Sequence, residues 1–146
     1  MNGPTDNEKE SAGLPIADVW DAIARAERIL PGKAAAEETY DPRWQAIIAI
    51  ANFLQEEPDA IWSFIIRWGS SPDEDLRSAV ATCLLEHLLQ YHFDRFFPQI
   101  EEAVRDNALL ADTFVKCWKF GQSEEEDNAK RFDLLQAGCR KTRPKT

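Results

Sequence analysis

The chain has 146 residues, a length that suits one domain, and 44% of them are hydrophobic, enough to build a core. Its formal net charge is −9, yet four of the 17 basic residues and none of the 26 acidic ones fall in 138–146. An acidic body disfavours nucleic-acid binding, which needs a basic patch to displace counterions, and suits a basic partner, whose opposite field speeds encounter.

Residues 1–14 hold Gly3, Pro4, Gly13 and several charges, and read as a mobile lead-in. A helical domain is predicted over 15–137, followed by a basic mobile tail over 138–146. The first helix covers 15–30, where Ile16, Val19, Trp20, Ile23, Ala26, Ile29 and Leu30 recur at three-four spacing. Pro31 and Gly32 stop it. Asp41 caps a second helix, with Pro42 at the first helical position, where no N–H is missed. It runs to about Gln55 and is apolar on most sides. Pro58 opens a third, ending near Gly69, whose apolar surface is interrupted only by Ser63 and Arg67. Such a helix needs neighbours on two sides. Ser71-Pro72-Asp73-Glu74 has capping-box spacing and starts a fourth helix to about Tyr91. Asp94 caps a fifth, carrying Phe97, Ile100, Ala103 and Val104. A sixth spans 107–120, and Ser123 with Glu126 starts a seventh, which Gly138 ends. No window alternates as a strand does.

A shift of 34 positions superimposes the second helix on the fourth, and a further shift brings in the sixth. Ala46, Val80 and Phe114 align, as do Ile47, Ala81 and Val115, and Ile50, Leu84 and Trp118. Ala49, Cys83 and Cys117 share a fourth slot. Positions 46, 47 and 50 lie on one helical face, and two helices per period of this length is a helical-repeat signature. The stretches Asp41-Pro42-Arg43 and Asp73-Glu74-Asp75-Leu76-Arg77-Ser78-Ala79-Val80-Ala81 resemble the start of the inner helix of HEAT repeats, over roughly 15–120. Pro42 replaces the apolar residue before Arg43, and the third unit has Ala111 at the arginine position and lacks the Asp. The resemblance implies an all-α, HEAT-like short α-solenoid: about seven helices, three antiparallel pairs and a C-terminal capping helix. Leu84-Leu85-Glu86-His87-Leu88-Leu89, with Ile100-Glu101-Glu102-Ala103 and Trp118, is also similar to small bacterial immunity-type helical domains. HEAT-like DNA glycosylases use tryptophan, aspartate and arginine on the concave face. Trp44 and Asp112 stand in related register, but the acidic charge opposes DNA.

The search for chemistry finds little. His87 and His92, with Glu86, make at most part of a metal site, since zinc takes three or four convergent ligands. Both read as boundary histidines. Cys83 and Cys117 occupy the packed repeat slot and read as inert core residues. Cys139, beside Arg140 and Lys141, has a favoured thiolate in a disordered tail. Three cysteines without a CxxC make no disulfide framework. The acidic runs Glu56-Glu57, Asp73-Glu74-Asp75, Glu101-Glu102 and Glu124-Glu125-Glu126-Asp127 read as solvated caps. The expectation is no enzyme, no cofactor and no metal. Met1–Glu10 has no signal-peptide pattern, and the apolar stretch 60–68 is too short to span a bilayer, so a cytoplasmic location is expected.

In a stack of helical pairs the inner helices line one concave surface. Opposite the core stripe lie Trp44, Ile48 and Asn52 in the first unit, Ser78, Thr82 and Glu86 in the second, and Asp112 and Lys116 in the third. These eight are the predicted partner-binding residues. Trp44 and Ile48 are either covered by the first helix or form an apolar anchor. The functional expectation is a non-catalytic protein-binding module, an immunity or antitoxin-type protein that neutralises a basic effector by occlusion. The alternatives are a scaffold or adaptor subunit and, third, an enzyme with a carboxylate site of unfamiliar form.

Overall fold

A computed structural model describes residues 16–32 and 41–142. The expected lead-in over 1–14, and the tail beyond Thr142, lie outside the described residues. Among the described residues every regular element is a helix. The elements are α1 (Val19–Ile29), α2 (Pro42–Ala51), α3 (Pro58–Gly69), α4 (Glu74–Val80), α5 (Glu86–Arg105), α6 (Ala108–Val115) and α7 (Glu126–Thr142). A π-turn at Ala81–Leu85 joins α4 to α5 without a break, so the described residues form six helical bodies.

Local chemistry sets the helix starts. The Asp18 side chain accepts from the Asp21 N–H at 2.9 Å, Asp41 from Arg43 at 2.9 Å, and Asn107 from Leu110 at 3.0 Å. The α4 cap is Asp73, which accepts from the N–H groups of Asp75 and Leu76, whereas Ser71 accepts from Asp73 one turn earlier. The expected capping box at Ser123 does not form: Ser123 is buried in a 3-10 turn (Gly121–Glu124), and its hydroxyl has no partner. In α1, Val19, Ala22, Ala26 and Leu30 face the core, while Trp20 from the same apolar set is exposed.

Four boundaries differ from the sequence reading. α2 ends at Ala51 rather than Gln55, and the chain turns through 52–56. The expected break between the fourth and fifth helices falls at His92, one residue past Tyr91, and not at an Asp94 cap. The run from α4 through α5 kinks at that residue (φ −139°, ψ 44°). There His92 Nε2 donates to the carbonyls of Leu54 and Gln55 (3.2 and 2.9 Å), while Gln122 accepts from the Phe93 N–H and donates to the Tyr91 carbonyl. The Gln122 side chain thus satisfies polar groups that the kink frees, while His92 itself ties the kink to the turn after α2. α6 stops at Val115, leaving 117–120 irregular. α7 passes through Gly138 to Thr142 and buries Cys139, so the domain extends past 137. Burial pushes the Cys139 thiol up, not down as its basic neighbours suggested.

The core is one cluster running the length of the described chain. Ile47, Ile50, Leu54, Ile61, Ile65 and Leu84 fill one part, and Phe93, Phe96, Phe97, Phe114 and Phe132 the other. α3 packs on α1, α4, α5 and α6, as its apolar circumference requires. Of the repeat slots, Ala46, Val80 and Phe114 are all buried, as are Ile47 and Ala81, and Ile50 and Leu84. The register fails at its last member: Trp118 lies beyond the end of α6 and is 71% exposed.

Candidate functional site: two buried arginines and an acidic edge

The side chains that tie successive helices together are Arg43 and Arg77, 34 positions apart and both buried. Arg43 Nη1 bonds Asp73 and Nη2 bonds Asp75, each at 2.9 Å, linking the start of α2 to the start of α4. Arg77 repeats the move one helix on: its Nε and Nη2 bond Asp112 Oδ2 in α6 at 3.2 and 3.0 Å. Its Nη1 donates to the carbonyls of Ser71 and Pro72. Burial alone would lower the Arg43 pKa, but the bond to Asp73 and the charges of Asp73, Asp41 and Asp75 outweigh it and leave it raised. The bond from Arg43, set against burial, holds the Asp73 carboxyl below its usual range.

This ladder changes the predicted partner-binding stripe. Asp112 and Glu86, expected on an exposed face, are buried. Asp112 is occupied by Arg77, with Lys116 at 3.8 Å, because a guanidinium out of water needs a carboxylate beside it. Glu86 accepts from the Trp118 N–H at 3.0 Å, with His87 Nε2 3.6 Å away, and burial pushes its carboxyl up. Lys116, half-buried, also reaches Glu74 at 3.4 Å. Ser78 and Thr82 are half-buried, and the Thr82 hydroxyl donates to the Ser78 carbonyl. Trp44 is half-buried and donates its indole N–H to Asp75 at 3.0 Å, so it is neither sealed by α1 nor free. Ile48, 42% exposed, and Asn52 remain open to solvent.

Five of the carboxylates without a cation among the described residues gather near the His92 kink, while others, among them Asp18, Asp21, Glu102, Asp106 and Glu124, stand outside this group. Glu56, Glu57, Asp94, Glu125 and Asp127 enter no ion pair among the described residues. The bonds at the His92 kink bring their segments together: Gln55, held by His92, precedes Glu56 and Glu57, and Gln122, held at Tyr91 and Phe93, precedes Glu125 and Asp127. Asp94, Gln122, Glu125 and Asp127 share the wall of one shallow hollow of about 520 Å³. Asn52 and Ile48 lead into this edge along α2. The sequence had marked these acids as solvated caps. What it lacked was the kink that gathers them.

The histidines serve structure. His92 caps the turns after α2, and His87 bonds Gln90 at 2.7 Å and stacks on Phe120. Among the described residues no three of His, Cys, Asp and Glu stand where they would hold a metal ion, and no helix is long and apolar enough to cross a membrane. No protein-family model, curated protein or solved structure matches this chain.

Proposed function

We propose that this domain is a non-catalytic protein-binding module with HEAT-like stacked helical pairs, and that it neutralises a basic effector protein by covering it, as an immunity or antitoxin protein does. The stacking is supported by the two arginines 34 positions apart, each of which bonds acids of the helix, or its cap, that lies one repeat on, Arg43 two at the start of α4 and Arg77 one within α6. The observation that carries the binding reading is the sorting of charge. Acids between the helices are matched by Arg43 and Arg77, while Glu56, Glu57, Asp94, Glu125 and Asp127, half of the described acids without a cation, lie on the segments that meet at the His92 kink. Beyond a small helix-start contribution at Glu57 and Glu125, such a set costs some self-repulsion, so its main physical use is the field it projects. That field steers a basic surface to the edge, and the exposed Ile48 beside Asn52 supplies an apolar contact where it docks.

The test is affinity capture from the native host with the domain as bait, at low and moderate salt, then kinetics with the captured partner. A stoichiometric basic protein, lost as salt rises, supports the reading. Glu56→Gln/Glu57→Gln/Asp94→Asn is then expected to slow association by roughly tenfold or more at low salt with a smaller effect on dissociation. A partner bound equally well by this variant and by Ile48→Glu, both folded by circular dichroism, overturns it.

A further inference from the structure

The segment 117–120 has no regular structure, yet it is held on every side but one. The buried Gln136 amide donates to the carbonyls of Phe114, Val115 and Cys117 at 3.1, 3.4 and 2.8 Å. The buried Glu86 carboxylate accepts the Trp118 N–H. Phe120 stacks on His87, and Lys119 pairs with Asp133 and lies over the Phe132 ring. Gly121 follows at φ +52°, pressed so close to Gln90 that a Cβ would sit 2.6 Å from its Cγ. Two buried polar side chains are thus committed to fixing a strip of backbone whose largest side chain, the Trp118 indole, points into solvent. With its backbone fixed in this way, the indole has only its own rotamer freedom left to lose on binding.

Trp118 stands at the rim of a cavity of about 780 Å³ between this strip and α7, within the size range of small-molecule sites. Phe132 and Gln136 line it from α7. Its charges divide into two sets. Lys116 and Lys119 are already neutralised, by Glu74 with Asp112 and by Asp133. Glu124 and Arg140 also line the cavity, and neither enters an ion pair among the described residues. One free anion, one free cation and an aromatic wall are complementary to a ligand that carries the opposite three features.

We infer that this cavity binds a small zwitterion with a planar ring, of the aromatic α-amino acid class: the ring on Trp118, the carboxylate toward Arg140 and the ammonium toward Glu124. The site is separate from the acidic edge and stands or falls without it. The test follows the Trp118 indole N–H peak in ¹H–¹⁵N spectra, assigned with Trp118→Phe, during titration with L-tryptophan and L-phenylalanine, their amides and their N-acetyl derivatives. The expected result is saturable binding of the free amino acids with Kd about 1 mM or tighter. Glu124→Gln should weaken this by roughly tenfold and remove the preference over the N-acetyl derivative, and Arg140→Gln should do the same for the amide. Both positions are exposed, so the fold is retained. Absence of any saturable shift of that peak, or equal binding of all three charge forms, overturns the inference.

Discussion

Asp112→Ala is the sharpest test of the arginine ladder. Asp112 is 2% exposed, and its Oδ2 takes two bonds from Arg77, whose guanidinium is equally enclosed. Removing the carboxylate leaves that guanidinium buried with the Ser71 and Pro72 carbonyls on Nη1 and the exposed Glu74 carboxylate 3.9 Å from Nη2. Breaking a buried pair from one side costs about 3–5 kcal/mol, because the remaining charge stays desolvated without its partner. At a urea m value of about 2 kcal/mol/M, the midpoint falls by about 2 M. The double replacement Arg77→Met/Asp112→Leu removes both charges and should recover most of that loss, since a buried pair is often no better than apolar groups of the same volume. Equilibrium unfolding in urea, followed by circular dichroism with m held constant, measures both. An Asp112→Ala loss below about 1 kcal/mol, or a double variant no better than the single, would show that the pair is solvated and does not hold α4 to α6.

Gly121→Ala should cost about 1–3 kcal/mol, from the left-handed backbone and the Gln90 contact. Gly138→Ala, inside α7 with nothing within 4 Å, should instead gain up to about 1 kcal/mol, and thermal unfolding of the two separates the signs. Glu86 carries a raised folded pKa, so its contribution is fullest below the usual carboxyl pKa and is lost as pH rises through the folded value. Glu86→Gln keeps an oxygen for the Trp118 N–H, so its stability relative to the native chain should rise with pH across that window and level off above it. Parallel stability curves from pH 3 to 8 would contradict the assignment. Cys139 in intact protein should react with a thiol reagent far more slowly than in urea, because it is buried and its thiol is pushed up. Equal rates would place it in solvent.

The all-helical class was legible because periodicity, proline starts and aspartate caps are local signals: the cap read at Asp41 is there in bonded detail, while the cap of α4 is Asp73 and not Ser71, two residues from where the capping box put it. What the sequence hid is non-local. Asp94 reads as a cap until one knows that His92 is held by carbonyls 37 and 38 residues away, and that Gln122 satisfies the freed groups at Tyr91 and Phe93. Glu86 and Asp112 fell on the polar stripe of an ideal helix, but the stripe does not reveal that a buried arginine needs one of them and an irregular backbone the other. Trp118 kept the 34-residue register in sequence and lost it in space because α6 ends at Val115. Ile48 and Asn52 kept their places because nothing polar beneath them demanded a partner.

The same reasoning separates the two kinds of acid in this chain. A carboxylate that faces a buried guanidinium is spent on the fold: its removal is read in stability, and it has little left to offer a partner. Asp73, Asp75 and Asp112 are of this kind. A carboxylate with neither a cation nor a backbone N–H to cap adds at most a small helix-end contribution, so removing it should change stability by no more than about 0.5 kcal/mol. Glu56, Glu57 and Asp94 are of that kind. Net charge alone does not distinguish them, and neither does exposure, since Asp73 and Asp75 are exposed while their arginine is not. The discriminating property is whether the charge is already answered. If the Glu56/Glu57/Asp94 variant loses stability as Asp112→Ala does, these acids belong to the fold, and the projected field that supports partner binding has no source on that edge.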